Sequence, residues 1–329
     1  MAKVVGMGEM LMRLSPEMGR RFTNTEDFQV FFGGSEANAV ASCSDYGDEV
    51  SFITKLPKHD IGQAALNALR MHDVDTSFIV RGGDRLGIYF CDTGSSIRPT
   101  KVIYDRKDSS MALADPSEFD FDKAFEGADW FHWSGITAAI SDSAAKCIEL
   151  ACKKAKEHGL KISCDLNYRA KLWSPEKACE VMVPLMEYVD VCIANESEAS
   201  TCLGMEVEGK TMEEVLKKMK EIFNFETIVT VALDDLSASH NQWRSVLYNG
   251  QFYETKELTL LPILDRVGAG DAMAGGLIHA LLKWNDPQKA IDFASAAGAL
   301  KATVAGDLNN VTEDEVMALA FADTKGIQR

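Results

Sequence analysis

The chain has 329 residues, 46% of them hydrophobic and 26% charged, with a formal net charge of −16. That composition excludes disorder as the default state and is long enough for a large buried core. So acidic a balance excludes a general electrostatic attraction to nucleic acid or to an anionic membrane, and leaves any anionic ligand to a locally basic site.

Lys3–Gly6 reads as a first strand, and a helix over Ser35–Tyr46 follows the Gly33-Gly34 turn. Val50–Thr54 is a strand, and Ile61–Met71 a helix with Ala65, Leu66 and Leu69 along one side. Further short strands fall at Asp129–Trp133, Lys161–Asp165, Val189–Ala194 and Thr227–Val231. Helical patterns over Ser143–His158, Pro175–Glu187 and Met212–Phe223 separate them, and Gly159 stops the first of these. The last third carries helices over Asp271–Trp284, Pro287–Val304 and Thr312–Ala322, the last opening on Thr312 and first-turn acids. This alternation predicts an α/β fold, a doubly wound and mostly parallel sheet flanked by helices.

Two stretches interrupt the alternation. Met12–Phe32 contains Pro16 and Gly19, and Leu86–Arg106 carries two β-rich runs around Gly94-Ser95-Ser96, which predicts a hairpin. Together they predict a small antiparallel β-sheet, a lid or a dimer surface, residues 12–32 and 86–107, on an α/β core of 1–11, 33–85 and 108–329. An exposed lid sheet predicts a homo-oligomer paired through it. The eight cysteines form no CxxC pair and no zinc spacing, so they read as buried thiols in a reducing compartment. With no membrane-length apolar run and no signal-peptide segment, the expected location is cytoplasmic.

The strongest chemical signal is Asp265-Arg266-Val267-Gly268-Ala269-Gly270-Asp271, leading straight into a helix. Small residues let a ligand approach the backbone, and the free N–H groups of the helix start face the same point. That is a place for phosphate oxygens. Asp271, in the first turn, is placed to accept a hydroxyl proton while those N–H groups hold the charge of a transferring phosphoryl group. The same residues alone would also make a glycine turn with an acid that stabilises the helix. No Gly-Lys-Ser/Thr follows, so this is not a Walker A loop.

A second motif lies near the other end, Gly33-Gly34-Ser35-Glu36-Ala37-Asn38-Ala39-Val40-Ala41. The pair, in this order and spanning essentially the whole chain, resembles the PfkB/ribokinase family of carbohydrate kinases. The resemblance implies a ribokinase-like fold, ATP as phosphoryl donor, and Asp271 as catalytic base. It also implies an anion hole at Gly268, Ala269 and Gly270, and sugar contacts from Gly33, Gly34 and Asn38. Asn195-Glu196-Ser197-Glu198 matches the family's Asn-x-x-Glu pattern. There Glu198 would organise Mg²⁺ through water, with Asn195 beside the nucleotide. The same four residues also make an N-cap with its capping acid. Ala232, after the strand Thr227–Val231, and Ala297, in the small-residue run Ala294–Ala302, are the expected nucleotide contacts alongside Gly268 and Gly270. The segment 232–241 lacks the glycine turn the family often has there. A monovalent cation beside Asp265 is left open.

A keto-acid sugar needs a cation for its carboxylate. Arg169, in Asp165-Leu166-Asn167-Tyr168-Arg169, ends a strand, the side on which doubly wound sheets bind ligands. Arg106, in Tyr104-Asp105-Arg106, ends the lid hairpin, where Tyr89 and Tyr104 add hydroxyls. These residues with Gly34 look like the substrate pocket of 2-keto-3-deoxygluconate kinases within the family, and Asp307 would reach the same substrate. Gly8-Glu9-Met10-Leu11 ahead of Leu14-Ser15-Pro16 resembles that branch and the fructokinases. Asp-x-Asn-x-Arg also occurs in members acting on neutral sugars, so Arg106 with Tyr104 is the more informative pair. The expected reaction is ATP-dependent phosphorylation of the terminal hydroxyl of 2-keto-3-deoxygluconate. The alternatives are a fructokinase-like enzyme of the same family and a catalytically inactive sugar-binding regulator. The intact Asp271 and glycine turn oppose the latter. A dinucleotide enzyme is opposed because Gly6-x-Gly8 lacks the third glycine and its helix.

Overall fold

The computed structural model describes residues 1–322, and for Leu233, Asp234 and Asp235 the backbone alone. Short apolar runs become strands buried on both faces. Strand β1 (Lys3–Met7) holds Val4, Val5 and Met7 with no exposure at all. It is followed by β2 (Leu11–Ser15), β3 (Gln29–Gly33), β4 (Glu49–Leu56), β5 (Ile79–Arg81), β6 (Gly87–Asp92) and β7 (Lys101–Asp105). The second half adds β8 (Trp130–Ser134), β9 (Lys161–Asp165), β10 (Val191–Ile193), β11 (Thr227–Ser237), β12 (His240–Tyr248), β13 (Phe252–Glu254) and β14 (Leu258–Leu260).

Among the described residues, ten strands form the main sheet, in the order β13-β12-β11-β10-β9-β8-β1-β4-β5, with β14 paired to β12. From β11 to β5 every pairing is parallel, and the β11–β12–β13 end is antiparallel. The chain runs outward from β1 to β4 and β5, then returns to β8 on the other side. Strand direction from β1 therefore switches between β1 and β8, and a ligand crevice opens beyond the carboxyl ends of such a pair.

Helices cover both faces. On one lie α1 (Ser35–Asp45) and α2 (Asp60–Arg70), with α9 (Ala269–Lys283) and α10 (Pro287–Lys301). The other face carries α5 (Asp142–Glu157), α6 (Pro175–Leu185), α7 (Glu196–Leu203) and α8 (Met212–Phe223). Short α3 (Phe121–Phe125) and α4 (Gly135–Ala139) fill loops, and α11 (Glu313–Phe321) closes the described chain. Thr312 and Glu315 form the capping box that starts α11, and Gly159 takes a left-handed turn after α5. No helix among the described residues is long and apolar enough to cross a membrane.

The lid is a four-stranded sheet, β3-β2-β6-β7. It is mixed rather than antiparallel. The pairs β2–β3 and β6–β7 are antiparallel, but β2 runs parallel to β6. The reason is inherited from the core: β2 continues from β1 and β6 follows β5, and those two strands run the same way in the main sheet. One lid face, with Leu11, Tyr89 and Cys91, packs over the crevice against Val267. Val30 and Ile103 are among the lid's exposed apolar side chains.

A second difference concerns segment 232–241. The strand expected to end at Val231 continues to Ser237 and folds back as β12. Trp243 of β12 is buried against Gly298 of α10, and its indole N–H donates to Ser295 Oγ at 3.0 Å. The small residues expected to face adenine therefore accommodate this tryptophan and helix α9. Ala297 is fully buried and packs on Gly276. Expected as a nucleotide contact, it has no exposed surface in this arrangement.

Candidate active site

Helix α9 begins where the glycine turn ends. Its N-cap, Gly268, has φ = +87°, and a Cβ there would sit 2.1 Å from the Asp307 carbonyl oxygen. Both facts demand glycine. The Ala269 N–H donates to the Arg266 carbonyl at 3.3 Å and that of Ala272 to Gly268 at 2.8 Å, which leaves the Gly270 and Asp271 N–H groups without a backbone acceptor among the described residues, beside a cleft of about 360 Å³. Gly268, Gly270 and Asp271 line it, and buried Ala269 does not.

Helix α1 packs on α9 and brings two donors to Asp271. Ser35 Oγ donates to Oδ1 at 2.8 Å, and Asn38 Nδ2 donates to Oδ2 at 2.7 Å. Asn167 donates to Ser35 Oγ at 2.8 Å, and the Gly34 N–H donates to Asn38 Oδ1 at 3.2 Å. Each partner is thereby oriented by a further one. Gly34 is extended, so its backbone angle asks for nothing special. What excludes a side chain is proximity, since a Cβ would fall 1.9 Å from the Glu9 carbonyl oxygen. Gly33 lies behind the cleft, against Asp307 and Asn38, and does not line it.

Burial raises the pKa of Asp271, and the Asn38 and Ser35 hydrogen bonds oppose that rise. A carboxylate oxygen carries two lone pairs, so each still has one free for an incoming hydroxyl. Ser35 and Glu36 sat inside the motif without an assigned role. Glu36 is fully enclosed, accepting from Ser134 Oγ at 2.7 Å and Ser134 N at 3.2 Å. Burial pushes it up to about 7.

The lid closes the other side. Tyr89 and Tyr104 stand opposite each other in the β6–β7 register. The Tyr89 hydroxyl donates to Asp307 Oδ1. Arg13 of β2, buried, reaches Asp307 at 3.2 Å and Asp265 at 2.8 Å. No local pattern singles out Arg13, whose acids lie some 250 residues or more away in the chain. Arg106 lines the cleft, but its guanidinium is ion-paired to Glu9, with Nε–Oε2 at 2.8 Å, and Ser109 also donates to that acid. Arg106 thus faces the cleft with its charge paired to Glu9, whereas its weight in the sequence reading is that of a free cation. Arg169 also lines the cleft, and its Nη1 donates to the Tyr168 and Asn167 carbonyls at 3.0 and 3.3 Å. Among the described residues it has no carboxylate in ion-pair contact.

Asn195 and Glu198 form a complete capping box at the start of α7. Glu198 Oε2 accepts the Asn195 N–H at 3.0 Å, and Oε1 accepts that of Tyr168 at 3.1 Å. Burial raises the Glu198 pKa. Burial, and then Glu198 itself, raise that of Asp165. Two oxygen acids that repel each other at one edge suit a hydrated divalent cation, since Mg²⁺ keeps several waters and takes one or two carboxylates. Among the described residues no group of three His, Cys, Asp or Glu would hold a metal directly. Ala232 sits mid-strand in β11, opposite Arg244, and neither it, Asn195 nor Glu198 lines the cleft.

Comparison with known proteins follows the same lines. The profile of the pfkB family carbohydrate kinases matches residues 1–314. A 2-dehydro-3-deoxygalactonokinase of Haloferax volcanii is 33% identical, covering 100% of this chain and 99% of its own. A 2-dehydro-3-deoxygluconokinase of Thermoproteus tenax is 30% identical over 93% of this chain and 90% of its own. The crystal structure of a 2-dehydro-3-deoxygluconokinase from Thermotoga maritima superposes with a TM-score of 0.94 at 43% identity, covering 97% of this chain and 98% of that one. The chain belongs to the pfkB family of carbohydrate kinases.

Proposed function

We propose that this kinase transfers the γ-phosphoryl group of ATP to the terminal hydroxyl of 2-keto-3-deoxygluconate, also called 2-dehydro-3-deoxygluconate. The observation that carries the reading is one cleft holding Asp271, at the start of α9, together with Arg169, a cation with no carboxylate in ion-pair contact among the described residues. Asp271 takes the proton of the attacking hydroxyl. That oxygen bonds to the γ-phosphorus, and the bond from phosphorus to the β,γ-bridging oxygen breaks. The N–H groups at Gly268, Gly270 and Asp271 hold the charge spread over the transferring oxygens, and Ser35 and Asn38 keep the carboxylate aimed. Arg169 anchors the sugar-acid carboxylate. Glu198 and Asp165 would hold a hydrated divalent cation, which would supply neutralisation of phosphate charge.

An ADP-release assay across sugars tests this. The keto acid should turn over faster than fructose or ribose, and the reverse order would remove the substrate assignment. The likeness to the Haloferax volcanii galactonokinase supports a second reading, in which the C4 epimer is the better substrate. Assaying both epimers separates the two. Exposed Val30 and Ile103 support pairing of two copies through the lid, which light scattering checks. Seven buried free cysteines out of eight support a reducing, cytoplasmic location, which cell fractionation checks.

A further inference from the structure

Lys301, on the last turn of α10, has no solvent exposure and is among the largest fully buried side chains. Lysine is almost never fully buried unless something pairs with it. Its course explains the burial. Lys301 Cε lies 3.1 Å from where a Cβ on Gly268 would stand, directly under the N-cap of α9. Its Nζ donates to the Val304 carbonyl at 3.0 Å. A lysine that only closed the end of α10 would do so from solvent. This one is turned inward, beneath the turn that receives phosphate oxygens in the proposed reaction.

The charges around it decide what it does there. Burial lowers the Lys301 pKa, the Asp265 and Asp307 carboxylates and more weakly Asp271 oppose that fall, and Arg13 adds to it. Arg13 pairs with both Asp265 and Asp307. Two carboxylates and Arg13 leave one net negative charge behind the anion-binding turn. Lys301 brings that cluster to neutrality. Asp265 itself is held by protein donors: Oδ1 accepts the Val267 N–H at 3.1 Å, and Oδ2 accepts that of Gly306 at 3.1 Å besides Arg13.

We infer that Lys301 is a built-in cation that positions and polarises the Gly268–Asp271 turn, so that turnover needs no monovalent metal ion beside Asp265. It does not touch substrate, and it acts through the turn in front of it. With the lysine removed, negative charge developing on the transferred group would face an uncompensated carboxylate across one layer of backbone. In a dry site such a field acts with little screening.

The inference rests on the kinase reading, and the experiment separates them. The wild type is assayed with tetramethylammonium as the sole monovalent cation, then with KCl added; its rate should not change. Lys301→Met keeps the bulk and loses the charge. Its kcat should fall about 10–100-fold while the KM for the sugar stays within about twofold, the signature of a lost transition-state interaction. In Lys301→Ala, methylammonium or K⁺ should restore at least part of the rate. A wild type that requires K⁺ overturns the inference without any variant. So does a Lys301→Met enzyme with full kcat, or a folded Lys301→Ala enzyme that neither ion rescues. A wild type inactive on every sugar overturns the proposed function instead, which is a different result.

Discussion

Gly268 and Gly270 flank one alanine, yet the structure gives them opposite tolerances. Replacing Gly268 by alanine forces a side chain into φ = +87°, a region costing an ordinary residue about 1–2 kcal/mol. The new Cβ would also lie 2.1 Å from the Asp307 carbonyl oxygen, a backbone atom that moves only if the Gly306–Asp307 loop moves. Overpacking of that kind adds about 1–3 kcal/mol. Gly268→Ala should therefore lose about 2–5 kcal/mol of folding stability in all. Gly270 has an ordinary backbone angle, and a Cβ there meets nothing within 4 Å. Gly270→Ala should fold as well as the wild type, or gain up to about 1 kcal/mol in helix propensity. Its methyl would still crowd the cleft, so kcat should fall without a stability loss. Denaturant unfolding of both variants, read beside their kcat, makes the comparison. Equal stability of Gly268→Ala and the wild type, or a destabilised Gly270→Ala, would refute the geometry on which the anion site is built.

Three further outcomes follow from the site. Asp271→Asn removes the base but keeps the shape, so turnover should fall by about 10²–10⁴-fold or more while calorimetry still detects sugar binding. Because burial raises the Asp271 pKa, the acid limb of kcat/KM should lie above the ordinary carboxylate value and be absent from the residual rate of that variant. Arg169→Met should cost the keto acid about 10–150-fold in kcat/KM, the worth of a charged hydrogen bond, and leave fructose nearly unaffected. Glu36, held near 7 in the fold against 4.5 in a free chain, binds its proton more tightly when folded. Its contribution to stability is full below the lower value and is lost as pH rises through the upper one. Glu36→Gln should therefore gain about 3 kcal/mol on the wild type at about pH 8 and little at about pH 4, measured by unfolding at both.

The alternation of buried strands and amphipathic helices was legible because each element carries its own signal. Met212–Phe223 announces itself by Thr211 and Glu214 as a capping box, and its limits match those expected. Strand β12 was not legible, since His240–Tyr248 mixes polar and apolar residues and its pairing with the extended β11 is a matter of partners. The parallel pairing of β2 with β6 is likewise long-range information. The same division runs through the site. Gly34, Asn38, Gly268 and Asp271 fall in two contiguous motifs and line one cleft. Arg13, Glu9 and Lys301 become meaningful only when distant segments meet. A sequence displays Arg106 as a cation; it does not display Glu9 lying against it.

A formal charge of −16 and an anionic phosphoryl donor pose a problem that the site answers without an excess of basic residues. Arg106 is balanced by Glu9, and Arg13 and Lys301 by Asp265 and Asp307. What attracts phosphate oxygens is then the oriented N–H groups at the start of α9, seated on a cluster made neutral by Lys301. Dipoles fixed by the fold need no reorganisation when charge develops, and they place no loose cation where ADP must leave. Arg169 is the exception, a cation whose guanidinium, among the described residues, donates to the backbone carbonyls of Asn167 and Tyr168 and forms no ion pair. A carboxylate on the sugar completes its pairing, whereas a neutral sugar leaves it to water. If the proposed reaction holds, Arg169 bears on the choice of acceptor and the α9 turn on the transfer itself, so substitutions at the two should separate substrate preference from phosphoryl chemistry.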